Sequence, residues 1–429
     1  MLRAVFARRA AWDLTPNPLA LCIAARRASG RPLIDLSDAN PTRCGIGSPA
    51  RALREALEAQ AADPAALRYE PDPRGDPAAR AAIARYHARG AESPGADQVV
   101  LTAGTSEGYS HLFRLLADPG DRVHLPVPGY GLFAHLAELE GLEVGSYPLC
   151  APAAGAGAGW RIDLDLLAAT LSPRSRAIVV IDPHNPTGSF LHADDRASLV
   201  SLASERGLAL ISDEVFRDFA RSGAPPASKP TTDEPGVLRF VLSGASKVLG
   251  LPQLKLAWIV ASGPAPLRDE ALARLEFVAD AFLSVSPIGA RMLPALFSHR
   301  AAIQSEIRAR IDANRARLVE RGQQSGAFEV LDAEAGWGAI VRTDVSRGGR
   351  RPGAGHAVES AGDEEARALA LVEGPGVIVQ PGFLFDLEPR DEQGDACSHF
   401  VLSLLAEPTQ FDAGVAGLVA GLGATASPR

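Results

Sequence analysis

Short apolar runs alternate with helical patterns along most of the chain, beginning near Ser48. The runs are Val99–Leu101, Val123–Leu125, Ile178–Ile181, Leu208–Ile211, Phe240–Leu242 and Ala257–Val260. Patterns with helical spacing, such as Tyr109–Leu116 and Arg196–Glu205, lie between them. Strands that are buried on both faces are apolar throughout and do not alternate with polar positions. The pattern therefore predicts an α/β fold with a mainly parallel sheet and helices on both of its faces.

The remainder of the chain predicts an arm and a second, smaller domain. Residues 1–47 contain several prolines and a short helical stretch near Leu19–Arg27, which favours an extended arm that covers a site. Residues 48–295 form the predicted large domain. A long helical pattern over Pro287–Glu320 leads into a predicted α+β domain at 296–429. Two glycine-rich segments, Ala151–Gly159 and Val345–Gly362, are typical of surface loops.

Composition narrows the class of protein without identifying it. The chain has 429 residues, of which 46% are hydrophobic and 22% are charged, as in globular proteins. Its net charge of −8 argues against broad capture of nucleic acid but leaves room for a local basic pocket. The four cysteines are far apart, so we expect reduced thiols in the cytoplasm and no disulfide framework or zinc site. We expect no membrane span, because no run of eighteen apolar residues occurs.

Polar or small residues follow four of the predicted strands. They are Gly104-Thr105-Ser106, Asp182 to Gly188, Asp213, and Ser243 to Lys247. In open α/β sheets, ligands bind beyond the carboxyl ends of the strands. We therefore expect these clusters to meet in one site.

The stretch Ser243–Trp258 carries the strongest local signal. Lys247 is flanked by small residues, and a second basic residue, Lys255, follows eight positions later. This pattern suits a lysine that forms a Schiff base beside a phosphate group. A lone lysine of this kind would more simply be a solvated surface residue, so the interpretation depends on the neighbouring motifs.

Three motifs in order resemble the active-site motifs of fold-type I aminotransferases, the aspartate aminotransferase superfamily (class I/II). They are DPHNPTG at Asp182–Gly188, ISDEVF at Ile211–Phe216, and Lys247 itself. The resemblance extends from about Asn40 to Leu404. It implies a cofactor, pyridoxal 5'-phosphate, and transfer of an amino group from an amino acid to a 2-oxo acid. The transfer would pass through a Schiff base at Lys247 and a pyridoxamine-phosphate intermediate.

The resemblance also assigns roles to individual residues. Lys247 is similar to the Schiff-base lysine and general base, Asp213 to the carboxylate beside the pyridine nitrogen, and Asn185 to the partner of the phenolic oxygen. Tyr130 matches the aromatic residue that stacks on the ring, and Tyr69 matches a tyrosine that reaches the phosphate of a neighbouring subunit. The remaining cofactor positions are Gly104, Thr105 and Ser106, which match a phosphate-binding helix start, together with Phe216, Ser243, Ser246 and Lys255. The match at Tyr69 implies a homodimer with shared sites. Taken singly, Asn185 could be an ordinary turn residue and Tyr130 a core tyrosine.

The chain departs from the family pattern at several positions. Phe216 stands where the family usually has tyrosine, and Lys255 replaces an arginine, which keeps the charge but loses the bidentate geometry. Gly244 replaces a serine, with Ser243 and Ser246 close by.

The arginine that binds the substrate carboxylate is also missing, because Val401 occupies its place. Arg43 is the first candidate to replace it, since the arm would cover the site and arginine is the usual partner of a carboxylate. Arg342 and His399 are the other candidates, and each of the three could instead be a surface or core group. Asn40 and Trp337 are further candidates for the substrate pocket, and Phe383 could line it or fill a core.

The sequence leaves one alternative activity open and disfavours several others. The same constellation supports a pyridoxal-phosphate lyase, a decarboxylase or a cyclising enzyme that acts on a non-standard substrate. A cofactor-binding regulator is disfavoured, because no DNA-binding domain is expected in the forty or so residues ahead of the sheet. We find no HExxH motif, no GxSxG motif and no Walker A sequence, and we expect no metal site. The sequence does not identify the amino donor.

Overall fold

The structure, a computed structural model, describes residues 5–88, 93–152, 159–222, 236–344, 359–390 and 394–423. Its helices are α1 (Pro18–Ala28), α2 (Gly47–Ala61), α3 (Pro77–His87), α4 (Thr105–Leu116), α5 (Leu132–Leu139), α6 (Leu164–Thr170), α7 (Ala193–Arg206), α8 (Ala245–Val248), α9 (Ala265–Phe282), α10 (Pro287–Ser298), α11 (Arg300–Ser325), α12 (Glu359–Glu373) and α13 (Pro408–Gly423). Its strands are β1 (Ile34–Asp35), β2 (Val99–Thr102), β3 (Arg122–Val127), β4 (Glu143–Cys150), β5 (Arg161–Ile162), β6 (Ser175–Ile181), β7 (Ala209–Asp213), β8 (Arg239–Gly244), β9 (Ala257–Ser262), β10 (Glu329–Val330), β11 (Gly338–Asp344), β12 (Val377–Ile378), β13 (Gln380–Pro381) and β14 (Cys397–Ser403).

An eight-stranded sheet forms the centre of the molecule, in the order β2-β9-β8-β7-β6-β3-β4-β5. Strands β8, β7, β6, β3 and β4 pair in parallel, whereas β9 pairs antiparallel with both of its neighbours. Every residue of β7, β8 and β9 is buried, which explains why these strands read as continuous apolar runs. The predicted α/β class with a mainly parallel sheet is confirmed.

Helices cover both faces of this sheet. Within β2, Val99 and Leu101 pack into one core together with residues of α3 and α10, whereas Val100 packs into a second core with residues of α4 and α9. Alternate residues of a strand point to opposite faces, so a strand with two apolar faces needs a layer of helices on each side.

A second, four-stranded antiparallel sheet follows in the order β10-β11-β14-β13. Helix α12 packs against β13 and β14 of this sheet. Helix α13 packs against α12 and α11. The N-terminal strand β1 pairs in parallel with β12, and the Ser403 backbone N–H donates to the Leu36 carbonyl at 2.6 Å. The segment that precedes the large sheet is thereby joined to the C-terminal part of the chain.

Two predicted features differ from the structure or lie outside it. The helical pattern over Pro287–Glu320 forms two helices, α10 and α11, with His299 between them. Most of the two glycine-rich segments, residues 153–158 and 345–358, lies outside the described residues. No helix in the part of the chain that the structure describes is long and apolar enough to cross a membrane.

Candidate active site

A cavity of about 480 Å³ lies where the carboxyl ends of the central strands face the four-stranded sheet. Asp213, Lys247 and Asn185 line it from the central sheet, and Trp337, Gln380 and Val401 line it from the other. We call this space the central cavity. Each of the four strand-end clusters that the sequence placed in one site contributes at least one residue to its lining.

Lys247 is held in α8, the short helix that follows β8. Burial lowers the pKa of its amine to about 8, and the nearby carboxylates of Asp213 and Asp38 offset part of this effect. The lysine nitrogen lies 5.4 Å from the ring centroid of Phe216 and 4.8 Å from that of Trp337. A desolvated amine of this kind is neutral in an appreciable fraction near neutral pH, so it can act as a nucleophile or a base.

Asp213 ends β7 and is almost fully buried at the same cavity. Its Oδ1 accepts the backbone N–H of Val215 at 3.1 Å, and its Oδ2 accepts the hydroxyl of Tyr109 at 3.2 Å. Burial raises the pKa of this carboxyl to about 6, and the two hydrogen bonds oppose the rise. Tyr109 was not among the site residues predicted from the sequence.

The start of α4 forms one end of the cavity. Thr105 and Ser106 open this helix and line the cavity, as does Ser246 from the lysine segment. A Cβ built on Gly104 would lie 3.6 Å from the Lys255 Nζ, so this amine is next to the helix start. Lys255 has a φ of 49°, a left-handed backbone conformation that is rare for residues other than glycine. Free N–H groups at a helix start, hydroxyls and a cation form a donor set that suits a phosphate group.

The loop that carries Asn185 is fixed by contacts with two other segments. A Cβ on Gly188, where φ is 72°, would lie 2.5 Å from the Ala335 carbonyl oxygen, so only glycine allows this approach. The backbone N–H of Ala335 donates to the Gly188 carbonyl at 2.8 Å, two residues before Trp337. At the start of the loop, Asp182 accepts a hydrogen bond from Arg217 at 2.6 Å. The buried Asp182–Arg217 pair links the DPHNPTG motif to the residue that directly follows ISDEVF.

Aromatic side chains form much of the remaining wall. Phe216 and Trp337 meet edge to face, with their ring centroids 5.6 Å apart. Tyr130 is partly exposed and lines the cavity next to Phe133 and Phe385, with centroid distances of 5.9 and 6.5 Å. Rings on several sides of the buried amine suit a flat aromatic ligand.

Several predicted residues of the cofactor site and the arm lie outside the central cavity. Ser243 is fully buried in β8, where it pairs with Trp258 of β9, and its hydroxyl has no hydrogen-bond partner among the described residues. Tyr69 is 74% exposed. The Asn40 side chain caps the turn that follows it by accepting the N–H of Thr42 at 3.0 Å. Arg43 is exposed and pairs with Asp38 at 2.9 Å, although Ser37 and Ala39 on either side of Asp38 line the cavity.

The two alternative carboxylate partners also lie away from the cavity. Arg342 pairs with Glu329 at 2.7 Å. His399 is buried, with its backbone N–H donated to Glu364 at 2.7 Å, whereas Val401, on the same face of β14, does line the cavity. Phe383 lies outside the cavity lining, which Phe385 reaches instead. His184, which precedes Asn185 in the DPHNPTG motif, is buried, and burial lowers the pKa of its imidazole to about 3.

The residues of the cavity fit pyridoxal 5'-phosphate. A buried carboxylate, a buried amine and an anion-binding helix start face one space, and aromatic rings border it. The chain has only three lysines, Lys229, Lys247 and Lys255, and the last two are both at this site. Lys229 lies outside the described residues. Of the two lysines at the site, only Lys247 is at a position where a Schiff base would require an amine, because an arginine could supply the charge of Lys255.

Comparisons with known proteins show the family and the fold of the chain. A family model described as aminotransferase class I and II matches residues 31–393. Capreomycidine synthase of Streptomyces vinaceus is 30% identical over 329 residues, which cover 75% of each chain. A probable N-succinyldiaminopimelate aminotransferase of Mycobacterium tuberculosis is 28% identical over 258 residues, which cover 59% of this chain and 63% of that protein. The crystal structure of an aminotransferase from Escherichia coli shares the fold, with a TM-score of 0.78, 21% identity and 95% coverage of both chains.

Proposed function

Because the chain belongs to the class I and II aminotransferases, a family of enzymes that depend on pyridoxal phosphate, we propose that Lys247 is the residue through which it moves an amino group from an amino acid to a 2-oxo acid. One observation carries this assignment. The amine of Lys247 and the carboxylate of Asp213 are both buried, face the same cavity, and influence each other's charge.

The proposed cofactor site uses the residues that surround these two groups. Thr105, Ser106, Ser246 and Lys255 would hold the phosphate at the start of α4, and Tyr130, Asn185 and Phe216 would border the ring. When bound there, pyridoxal phosphate supplies an electron-accepting ring that stabilises negative charge at the substrate α-carbon. Asp213 would keep a proton on the ring nitrogen, because a buried carboxylate favours a positive charge beside it.

Lys247 would hold the cofactor and would also move a proton at the substrate α-carbon. Its lowered pKa keeps part of it in the basic form near neutral pH, as a general base requires. Phe216 and Trp337 would exclude water around the amine, which maintains its low pKa.

The substrate end of the site is assigned on weaker contacts. Arg43 is our proposed partner for the substrate carboxylate, because it pairs with Asp38, whose two neighbours line the cavity. Trp337, Val401 and Gln380 would contact the substrate side chain. We assign no substrate contact to Asn40, Arg342, His399 or Ser243, whose side chains lie elsewhere.

The assembly and location follow from the same proposal. The exposed Tyr69 is available to a neighbouring subunit, so we propose a homodimer with shared sites. Residues 48–295 would be the cofactor-binding domain, and 1–47 with 296–429 would be the arm and the small domain. We also propose a cytoplasmic location, and the absence of a disulfide among the described residues is compatible with it.

The test is a labelled transfer assay with the cofactor-loaded enzyme. The ¹⁵N-labelled protein amino acids other than glutamate are each incubated with the enzyme and 2-oxoglutarate, and the label in newly formed glutamate is measured by mass spectrometry. We expect label transfer from at least one donor and none with Lys247→Ala.

A second set of reactions omits the 2-oxo acid. An aminotransferase then consumes at most one equivalent of donor per site. Continued turnover of a donor without a 2-oxo acid would contradict the proposal and indicate lyase, decarboxylase or ring-closing chemistry. The relative from Streptomyces vinaceus is itself named a synthase, so the reaction without a 2-oxo acid is run for every donor.

A further inference from the structure

Asp213 accepts a hydrogen bond from Tyr109, a residue that no sequence motif indicates. Tyr109 lies one turn into α4, four residues after Thr105 at the phosphate end. Its side chain is fully buried, and its hydroxyl donates to the Asp213 Oδ2 at 3.2 Å. We propose that Tyr109 is a positioning residue that fixes the orientation of the Asp213 carboxylate and keeps it ionised beside the ring nitrogen of the cofactor. This inference rests on the proposed role of Asp213.

The two oxygens of Asp213 are satisfied separately. The backbone N–H of Val215 takes Oδ1, which fixes the carboxylate from its own chain segment. Tyr109 takes Oδ2 from a different layer of the molecule. With only the backbone contact, the carboxylate could rotate about its side-chain bonds. The second donor removes this freedom, and each oxygen retains lone pairs for a further donor on the cavity side.

Tyr109 is built to remain a donor. Its ring packs against Phe113 and Phe133, with centroid distances of 5.8 and 4.8 Å, so the hydroxyl cannot turn to solvent. Burial raises the pKa of the phenol well above 10, so the hydroxyl keeps its proton. A hydrogen bond from a neutral donor to a buried carboxylate stabilises the charged form, and loss of the donor leaves the charge undersolvated.

Other charges near Asp213 are not altered by a change at Tyr109. Glu214 acts in the opposite direction, because its negative charge raises the pKa of Asp213, and it is itself paired with Arg217 at 3.4 Å. Lys247 lowers the pKa of Asp213 from the cavity side. Removal of the Tyr109 hydroxyl therefore isolates one contribution.

The experiment compares Tyr109→Phe with Tyr147→Phe, a matched control. Tyr147 is equally buried, but its hydroxyl donates to the Val179 carbonyl at 2.7 Å, away from the central cavity. Both variants lose one buried hydroxyl, so both lose some stability, and only Tyr109→Phe acts on Asp213. Each enzyme is loaded with pyridoxal phosphate labelled with ¹⁵N in the ring, and the ¹⁵N chemical shift is followed against pH.

We expect the ¹⁵N chemical shift of a protonated pyridinium in the wild type and in Tyr147→Phe. In Tyr109→Phe we expect the chemical shift to lie closer to that of neutral pyridine. We also expect the acidic limb of cofactor binding to move up by about one to two pH units in Tyr109→Phe, which corresponds to the loss of one hydrogen bond to a charged group. An unchanged ¹⁵N shift and an unchanged limb would overturn the inference. If Tyr109→Phe does not fold, 3-fluorotyrosine at position 109, a stronger donor, must move the limb to lower pH.

Asp213→Asn separates this inference from the proposal on which it rests. If Asp213→Asn moves the ¹⁵N shift and Tyr109→Phe does not, only the role of Tyr109 is wrong. If Asp213→Asn leaves the shift unchanged, Asp213 is not the partner of the ring nitrogen and both assignments fail.

Discussion

The amine nitrogen of Lys247 lies 4.8 Å from the centre of the Trp337 ring, so a residue just ahead of the four-stranded sheet shields the reactive group of the central sheet. Trp337 is 2% exposed and also packs against Phe216 and Phe219. The low pKa of Lys247 arises mainly from burial, so it depends on contacts of this kind. Packing between the two sheets is thereby coupled to the chemistry of the site.

Replacement of Trp337 by alanine should therefore alter both stability and the lysine. We expect a loss of about 3 to 5 kcal/mol in the free energy of unfolding, which is typical when a large buried side chain is removed. Water that enters the void should raise the pKa of Lys247 toward its ordinary value of 10.5. Urea unfolding measures the first effect, and the pH dependence of cofactor uptake measures the second. Trp337→Phe should show smaller changes in the same directions, and an unchanged uptake profile in both variants would contradict the shielding role.

Uptake of pyridoxal phosphate by the cofactor-free enzyme should follow the ionisation of Lys247, because only the neutral amine attacks the aldehyde. With a pKa of about 8, the rate should rise about tenfold per pH unit below pH 8 and level off above it. An ordinary lysine would give a rise that continues to about pH 10. Stopped-flow absorbance distinguishes the two profiles.

The same shift predicts how stability depends on pH. Between about pH 8 and 10.5, Lys247 is largely deprotonated in the folded chain and protonated in the unfolded chain. The unfolded state then binds more protons, so the stability of the cofactor-free enzyme should increase with pH across this window. The increase should disappear in Lys247→Met. Denaturant midpoints at several pH values for both proteins provide the comparison.

Lys255 should contribute to binding through the phosphate alone. We expect Lys255→Ala to weaken binding of pyridoxal phosphate by roughly ten- to a hundredfold, the range for a lost hydrogen bond between charged groups. Binding of pyridoxal, which lacks the phosphate, should change little. Lys255→Arg keeps the charge and serves as the control. Equal losses for both ligands would show that Lys255 acts on the fold and not on the phosphate.

Arg43 should affect amino acids and spare the corresponding amines. Its pair with Asp38 is exposed, and such pairs contribute little energy, so a substrate carboxylate can compete for the guanidinium. We expect Arg43→Ala to raise KM for an amino acid donor about five- to tenfold with little change in kcat, since the contact is made in ground and transition states alike. Paired kinetics on an amino acid and its decarboxylated amine check this. An equal change in KM for both substrates would show that Arg43 does not bind the substrate carboxylate.

The sequence predicted the site residues that directly follow or end a strand. The strands appeared as apolar runs, and the residues that meet in the cavity, such as Asp213 and Lys247, directly follow or end those strands. Ser243 could have been placed correctly, because the two-residue period of β8 puts it on the same face as the buried Val241. Tyr109 could not, because it lies inside a helix and its partner is 104 positions away in the chain. Only the packing of α4 on the sheet brings the two together.

The most direct test of the account is to locate the covalent link to the cofactor. The loaded enzyme is reduced with borohydride, digested, and mapped by mass spectrometry, which must choose among Lys229, Lys247 and Lys255. We predict that the reduced cofactor is attached at Lys247 alone and that Lys247→Ala shows no attachment. Attachment at Lys229 or Lys255 in the wild-type enzyme would contradict the central claim.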